Sequence, residues 1–123
     1  MNEIDPRSPV PLYEQIAARI RVAVAAGEYA AGAALPSVRQ LSAQLRVNPA
    51  TVVQAYRDLE REGFVEMRHG SGTFVRELGE MQLEDERAKQ VREIVRRVIA
   101  EAARLGITPA ELQQALAEEL SAV

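Results

Sequence analysis

Pro36-Ser37-Val38-Arg39-Gln40-Leu41-Ser42-Ala43-Gln44-Leu45-Arg46-Val47-Asn48-Pro49-Ala50-Thr51-Val52-Val53-Gln54-Ala55-Tyr56-Arg57-Asp58-Leu59-Glu60-Arg61-Glu62 is the stretch that decides the fold. It reads as two helices with a very short joint. Ser37 is a good N-cap after Pro36, and Gln40 can close a capping box with it. Val38, Leu41 and Leu45 then recur at helical spacing. The run stops near Arg46-Val47. Asn48 is a second N-cap, and Pro49 suits the first helical position, where its missing N–H costs nothing. Val52, Tyr56 and Leu59 form the apolar stripe of the second helix, flanked by Val53 and Ala55, and Gly63 ends it. Two short helices, a tight turn and a polar start to the second helix are the parts of a helix-turn-helix.

Downstream, Phe64-Val65-Glu66-Met67-Arg68-His69-Gly70-Ser71-Gly72-Thr73-Phe74-Val75-Arg76 holds two β-prone runs around a Gly-rich centre. That is a hairpin signal. A hairpin directly after a helix-turn-helix is a wing, with Arg68, His69, Gly70, Ser71 and Gly72 at its tip. Residues 77–82 read as a polar link and residues 84–105 as a long helix. The apolar positions of that helix are Val91, Ile94, Val95, Val98, Ile99, Ala102 and Leu105, in steps of three and four. Gly106 suits the position just past its end. Thr108-Pro109-Ala110-Glu111 supplies an N-cap, an N1 proline and an N3 glutamate for a last helix. Leu112, Leu116 and Leu120 line that helix. Two helices alone cannot enclose a core and need another layer. The economical layer is a second copy, so these ten apolar residues are the expected dimerisation surface.

Upstream, Pro6, Pro9 and Pro11 keep residues 1–10 from regular helix, and they read as an extended arm. A helix follows, with Leu12, Ile16, Ile20 and Val24 every four residues and Gly27 at its end. Between Gly27 and Pro36, Tyr29 and Leu35 are expected to dock on the core, with Gly32 turning the chain. The expected fold is therefore mainly α (α+β): a winged helix-turn-helix domain over residues 1–76, then an antiparallel two-helix tail over 77–123.

Composition removes several function classes. The 123 residues include no Cys and no Trp, and the aromatics are three Tyr and two Phe. Disulfides, thiolate catalysis and Cys-based zinc sites are excluded. No apolar run approaches the roughly 20 residues of a membrane span, and Met1–Asp5 is no basic leader, so a soluble cytoplasmic protein is expected. The net charge of −3 misleads. Residues 1–76 carry nine Arg against eight acids, whereas residues 77–123 carry six basic residues against ten acids. The acidity belongs to the tail, which leaves room for a basic face on the first domain. Lys89 is the only Lys. Arg suits phosphate and guanine, but the Arg bias carries less weight than a genome-wide composition effect.

Several segments match a known family in order and at the right spacing. They are Pro11-Leu12-Tyr13-Glu14-Gln15-Ile16, the run from Leu35 to Ser42, Val47-Asn48-Pro49-Ala50-Thr51-Val52, the run from Ala55 to Gly63, and Gly70-Ser71-Gly72-Thr73-Phe74-Val75. Over about residues 10–76 the chain resembles the winged helix-turn-helix domain of GntR-family bacterial transcription regulators. Asn48-Pro49 and Ala55-Tyr56 resemble two branches of that family. One fuses the domain to a large aminotransferase-like domain (the MocR type). The other carries a short two-helix dimerisation tail (the YtrA type), which fits the 47 residues after the wing. The resemblance implies a dimeric repressor on a palindromic operator, in some relatives that of a transporter operon. Many relatives outside these branches have Ser-Arg or Thr-Arg where Asn48-Pro49 stands, so their base-reading Arg has no counterpart at position 49.

The candidate DNA-binding residues follow. The helix starting at Asn48 is expected to enter a major groove with its first turn at the bases. Thr51 can meet a base edge, a phosphate or a thymine methyl, and Gln54 lies one turn further on. Asn48 serves either as a cap alone or as a contact. Arg46 and Arg57 are candidate phosphate contacts, and Ser37 can cap while its helix N-terminus attracts an anion. By resemblance, Arg39 matches the family Arg that reaches phosphate or base, while Arg68, His69 and Gly70 match the wing tip that approaches the minor groove. His69 has no partners for a metal site, and Gly70-Ser71-Gly72 is a turn, since no Lys-Ser/Thr follows as in a phosphate loop. No cofactor is implied, and no nucleophile–base pair suggests an enzyme. The rival reading is a winged-helix protein-interaction module without specific DNA binding. A small-molecule effector, if one acts, has no internal cavity in so short a tail.

Overall fold

The computed structural model describes residues 4–123. Their element order is α1 (Leu12–Ala25), α2 (Val38–Leu45), α3 (Pro49–Arg61), β1 (Val65–Arg68), β2 (Gly72–Val75), α4 (Glu80–Arg104) and α5 (Pro109–Ser121). Two compact units result, one ending at Glu86 and one running from Arg87 to Val123, so the division falls inside α4.

In the first unit, α1, α2 and α3 surround a core of Ile16, Ile20, Val24, Leu41, Val52, Tyr56 and Leu59. The wing adds Phe64, Val65 and Val75 to it, and Leu35 and Tyr29 pack as the sequence leads one to expect. Such burial is the main stabilising contribution for a small helical domain. β1 and β2 are antiparallel, with Val65 opposite Val75 and Arg68 opposite Gly72. A short third partner is not foreseen from sequence. Leu35 N–H donates to Thr73 O and Val75 N–H to Ala33 O, each at 2.9 Å, so the segment before α2 pairs with the far edge of β2. This leaves the wing root with fewer unpaired backbone groups.

Helix ends carry much of the local order. Ser37 and Gln40 make the expected capping box on α2, and Thr108 and Glu111 make the one on α5. The Thr108 amide and hydroxyl hold the Glu111 carboxyl below the usual carboxylate range. α1, α3 and α4 end alike: Gly27, Gly63 and Gly106 take positive φ, and the N–H of the following residue bonds back five residues. α2 ends the same way with no glycine. Arg46 occupies the left-handed region at φ 55° and ψ 48°, and Val47 N–H bonds to Ser42 O at 3.1 Å.

Two expectations need correction. The N-terminal arm is not extended over residues 4–10, and its first three residues lie outside the described ones. Ser8 N–H bonds to Asp5 O, and Gln15 collects the segment by donating to the carbonyls of Asp5 and Val10 while accepting from Asp5 N–H. The prolines bar helix but not turns. The link after the wing is shorter than expected, because α4 begins at Glu80. Gln82 explains the early start: its side-chain amide donates to Glu62 O at 3.1 Å, at the end of α3.

In the second unit, the rest of α4 and α5 are joined by a turn at Gly106, but α5 buries none of its residues, so within one chain the two helices are not packed as the expected antiparallel pair. The apolar stripe is open. Val91, Ile94, Ile99, Leu105 and Leu120 are 59, 53, 54, 58 and 65% exposed. Val95, Val98 and Leu116 are exposed too, Leu112 is half-buried, and Ala102 is already buried within one chain.

Candidate nucleic-acid interface

α3 has two sharply different sides. Val52, Ala55, Tyr56 and Leu59 are buried. Ala50, Gln54, Arg57 and Arg61, spaced to share the opposite face, are exposed. Asn48 caps the helix, its side-chain oxygen accepting from Ala50 N–H at 2.9 Å. Its carbonyl is thereby committed to the helix, which keeps the positive end of the helix dipole at the exposed first turn. Thr51 is half-buried beside that turn.

α2 is fixed against this helix by a buried tyrosine. Tyr56 Oη donates to Pro36 O at 2.6 Å, so the start of α2 lies alongside the middle of α3. Burial, with Tyr29 adding to it, pushes the Tyr56 phenol well above its ordinary range. Ser37 and Arg39 follow directly and are exposed. Ser37 Oγ accepts from Gln40 N–H at 3.0 Å, leaving its own O–H free to donate outward. Among the described residues, no hydrogen bond or ion pair engages the guanidinium of Arg39, Arg46 or Arg57, and all three are exposed. Some other cations are paired: Arg21 meets Glu62 at 3.0 Å, and Arg61 and Arg104 pair with Asp58 and Glu101. Open guanidinium groups at the start of a helix-turn-helix can take phosphate oxygens bidentately.

The wing tip is a separate element. His69, Gly70 and Ser71 close the hairpin, with Ser71 N–H bonding to Arg68 O at 3.0 Å. Gly70 takes φ 76° at the third position of the turn, where a type II turn requires it. The Arg68 guanidinium lies 4.3 Å from the centre of the Phe74 ring, with Glu66 at 3.4 Å. His69 and Gly70 are exposed. Among the described residues no cluster of His, Asp and Glu could hold a metal ion, and no helix is long and apolar enough to cross a membrane.

Sequence reasoning missed two carboxylates. Glu60 accepts from Met67 N–H at 2.7 Å, tying α3 to the wing. Asp58 accepts from the Gln54 side-chain amide at 3.0 Å and also pairs with Arg61. The spacings of four and three residues on one helix were a usable signal for Asp58. The Glu60 contact crosses elements and left none.

Three helices, a tight turn and a hairpin with an open cationic surface define a winged helix-turn-helix of the nucleic-acid-binding kind. Residues 12–75 match the model of bacterial regulatory proteins, gntR family. The HTH-type transcriptional repressor YtrA of Bacillus subtilis is 36% identical over 118 residues, covering 96% of this chain and 91% of that protein. The chain belongs to the gntR family of bacterial regulators, and its likeness to one relative extends through the tail. A GntR family transcriptional regulator from Listeria monocytogenes superposes with a TM-score of 0.70 at 29% identity, covering 94% of this chain and 98% of that one. The AraR DNA-binding domain solved in complex with operator ORE1 gives a TM-score of 0.53 at 25% identity, covering 61% of this chain and 92% of that one. As a gntR-family regulator the chain is not an enzyme.

Proposed function

We propose that the chain is a cytoplasmic, sequence-specific DNA-binding transcription regulator, a repressor that works as a homodimer on a palindromic operator. The observation that carries this reading is the set of open guanidinium groups, Arg39, Arg46 and Arg57, around a recognition helix whose outer face is free. α3 reads the major groove with Thr51 and Gln54, and the backbone is held by Ser37, Arg39, Arg46 and Arg57. The wing tip, Arg68, His69 and Gly70, takes the adjacent minor groove. The repressor YtrA is similar over nearly the whole chain, and the AraR domain was solved on an operator, which supports this reading.

The exposed stripe of Val91, Ile94, Val95, Val98, Ile99, Leu105, Leu116 and Leu120, with the half-buried Leu112, supports a two-fold dimer through the tail. So much exposed apolar surface on one small unit marks a protein interface. One copy offers few base contacts, and a symmetric pair doubles them over two half-sites. Gel shift with duplexes selected from a random library tests the DNA reading. Arg39→Ala is expected to weaken binding and lower the salt slope by roughly one unit. Binding no tighter to selected duplexes than to random DNA would overturn it.

A further inference from the structure

We infer that Asp58 is a specificity-positioning residue that presents the Gln54 amide to an adenine; this rests on the proposed docking of α3 in a major groove. Gln54 is exposed on the outer face of α3, between Ala50 and Arg57. Ala50 offers only a methyl, so bulk on the preceding turn does not shield Gln54. The Gln54 side-chain nitrogen donates to Asp58 Oδ1 at 3.0 Å. A carboxylate only accepts hydrogen bonds, so the contact sets which end of the amide faces Asp58.

One N–H of the amide is used in this way. The other N–H and the carbonyl oxygen remain. In the proposed arrangement the N–H trans to the carbonyl goes to Asp58, so the remaining N–H and the oxygen sit side by side at the free end of the group. A donor beside an acceptor is what adenine demands in the major groove, where N7 accepts and the N6 amino group donates. Guanine offers two acceptors there and would leave the Gln54 carbonyl facing an oxygen. A free glutamine could rotate its amide to suit either base. Asp58 removes that freedom, and Arg61 in turn pairs with Asp58 and holds its carboxylate on the helix. Arg61 also offsets the negative charge that Asp58 would otherwise present to the phosphates.

The test is selection of bound sequences from a random duplex library, followed by gel shifts on single-base variants of the selected site. Wild type, Gln54→Ala, Asp58→Ala and Asp58→Asn are compared as full-length chains. Wild type is expected to prefer A·T at one position of each half-site, by about tenfold or more over G·C. Gln54→Ala and Asp58→Ala lose that preference at that position and keep the rest of the selected sequence. Asp58→Asn keeps it, because the Asn carbonyl still accepts from Gln54. Loss of the carboxylate raises affinity for any duplex, so the change in preference and the change in affinity separate. An A·T preference unchanged in Gln54→Ala, or sharpened in Asp58→Ala, would overturn the assignment; the second outcome would mean that Asp58 holds Gln54 away from the bases. Absence of any selected site in wild type would instead remove the DNA-reading proposal beneath it.

Discussion

Glu60, in the last turn of α3, accepts a hydrogen bond from the backbone N–H of Met67 in β1 at 2.7 Å. The register explains why this N–H is available. Arg76 N–H bonds to Phe64 O, and pairing then alternates along the hairpin, so Met67 points its N–H away from β2. The recognition helix thus holds the outer edge of the wing through one carboxylate.

Glu60→Ala should release the wing without unfolding the domain. Loss of one such bond costs about 0.5–1.5 kcal/mol. The sharper readout is amide exchange. Met67 should lose protection, while Glu66 and Arg68, inside the ladder, keep theirs. Equal protection of Met67 in both proteins would mean that the contact contributes nothing in solution.

Arg46 takes a backbone conformation that glycine adopts without penalty, and it does so at the turn between α2 and α3. For other residues this region costs roughly 1–2 kcal/mol, while glycine loses about 0.5–1 kcal/mol of that advantage through its floppier unfolded chain. Arg46→Gly is therefore expected to stabilise the domain by about 0.5–1 kcal/mol in urea denaturation. The same change removes an open cation from the proposed DNA face. Affinity should fall and the salt slope drop by about one unit. Stability rising while binding falls would show that strain is kept here for the guanidinium. A weaker protein after Arg46→Gly would show that the arginine stabilises its own turn.

Tyr56 should make stability depend on alkaline pH. Its phenol sits above its ordinary range in the folded chain because it is buried, and it donates to Pro36 O. A group with a raised folded pKa stabilises fully below its unfolded value, about 10 for Tyr. That contribution is lost as pH rises towards the folded value. Thermal unfolding of wild type should therefore weaken above about pH 10, and Tyr56→Phe should remove this component while costing about 1 kcal/mol at neutral pH.

The helix-turn-helix, the wing and the two helices of the tail were all legible because their signals are local. Ser37–Gln40, Asn48-Pro49 and Thr108-Pro109-Glu111 are capping grammar within four residues, and Val52, Tyr56 and Leu59 are periodicity. What escaped depends on distant partners. Glu80-Met81-Gln82-Leu83 has no strong cap, and its helix is anchored by the bond from Gln82 to Glu62 O. Ala33-Ala34-Leu35 has little strand character and is strand-like because β2 has a free edge. The arm depends on Gln15, which no proline pattern announces. At the candidate site, residue types on the outer face of α3 were readable, but the orientation of Gln54 was not, since it is set by Asp58.

The tail gives a prediction about assembly. Val98 and Ile99 lie mid-stripe on α4 and are 41 and 54% exposed in the single chain. A charge at either site meets water in the monomer, so it should leave α4 folded. In a dimer the same charge would be buried without a partner, at a cost of several kcal/mol. Val98→Glu or Ile99→Glu should therefore convert a dimer at micromolar concentration to a monomer in light scattering, with helical circular dichroism little changed. The melting temperature of wild type should rise with concentration, and that of the variants should not. Operator affinity should fall steeply for the variants, because two half-sites are no longer bound by one particle. A wild-type chain that is monomeric at those concentrations would require another explanation for the stripe.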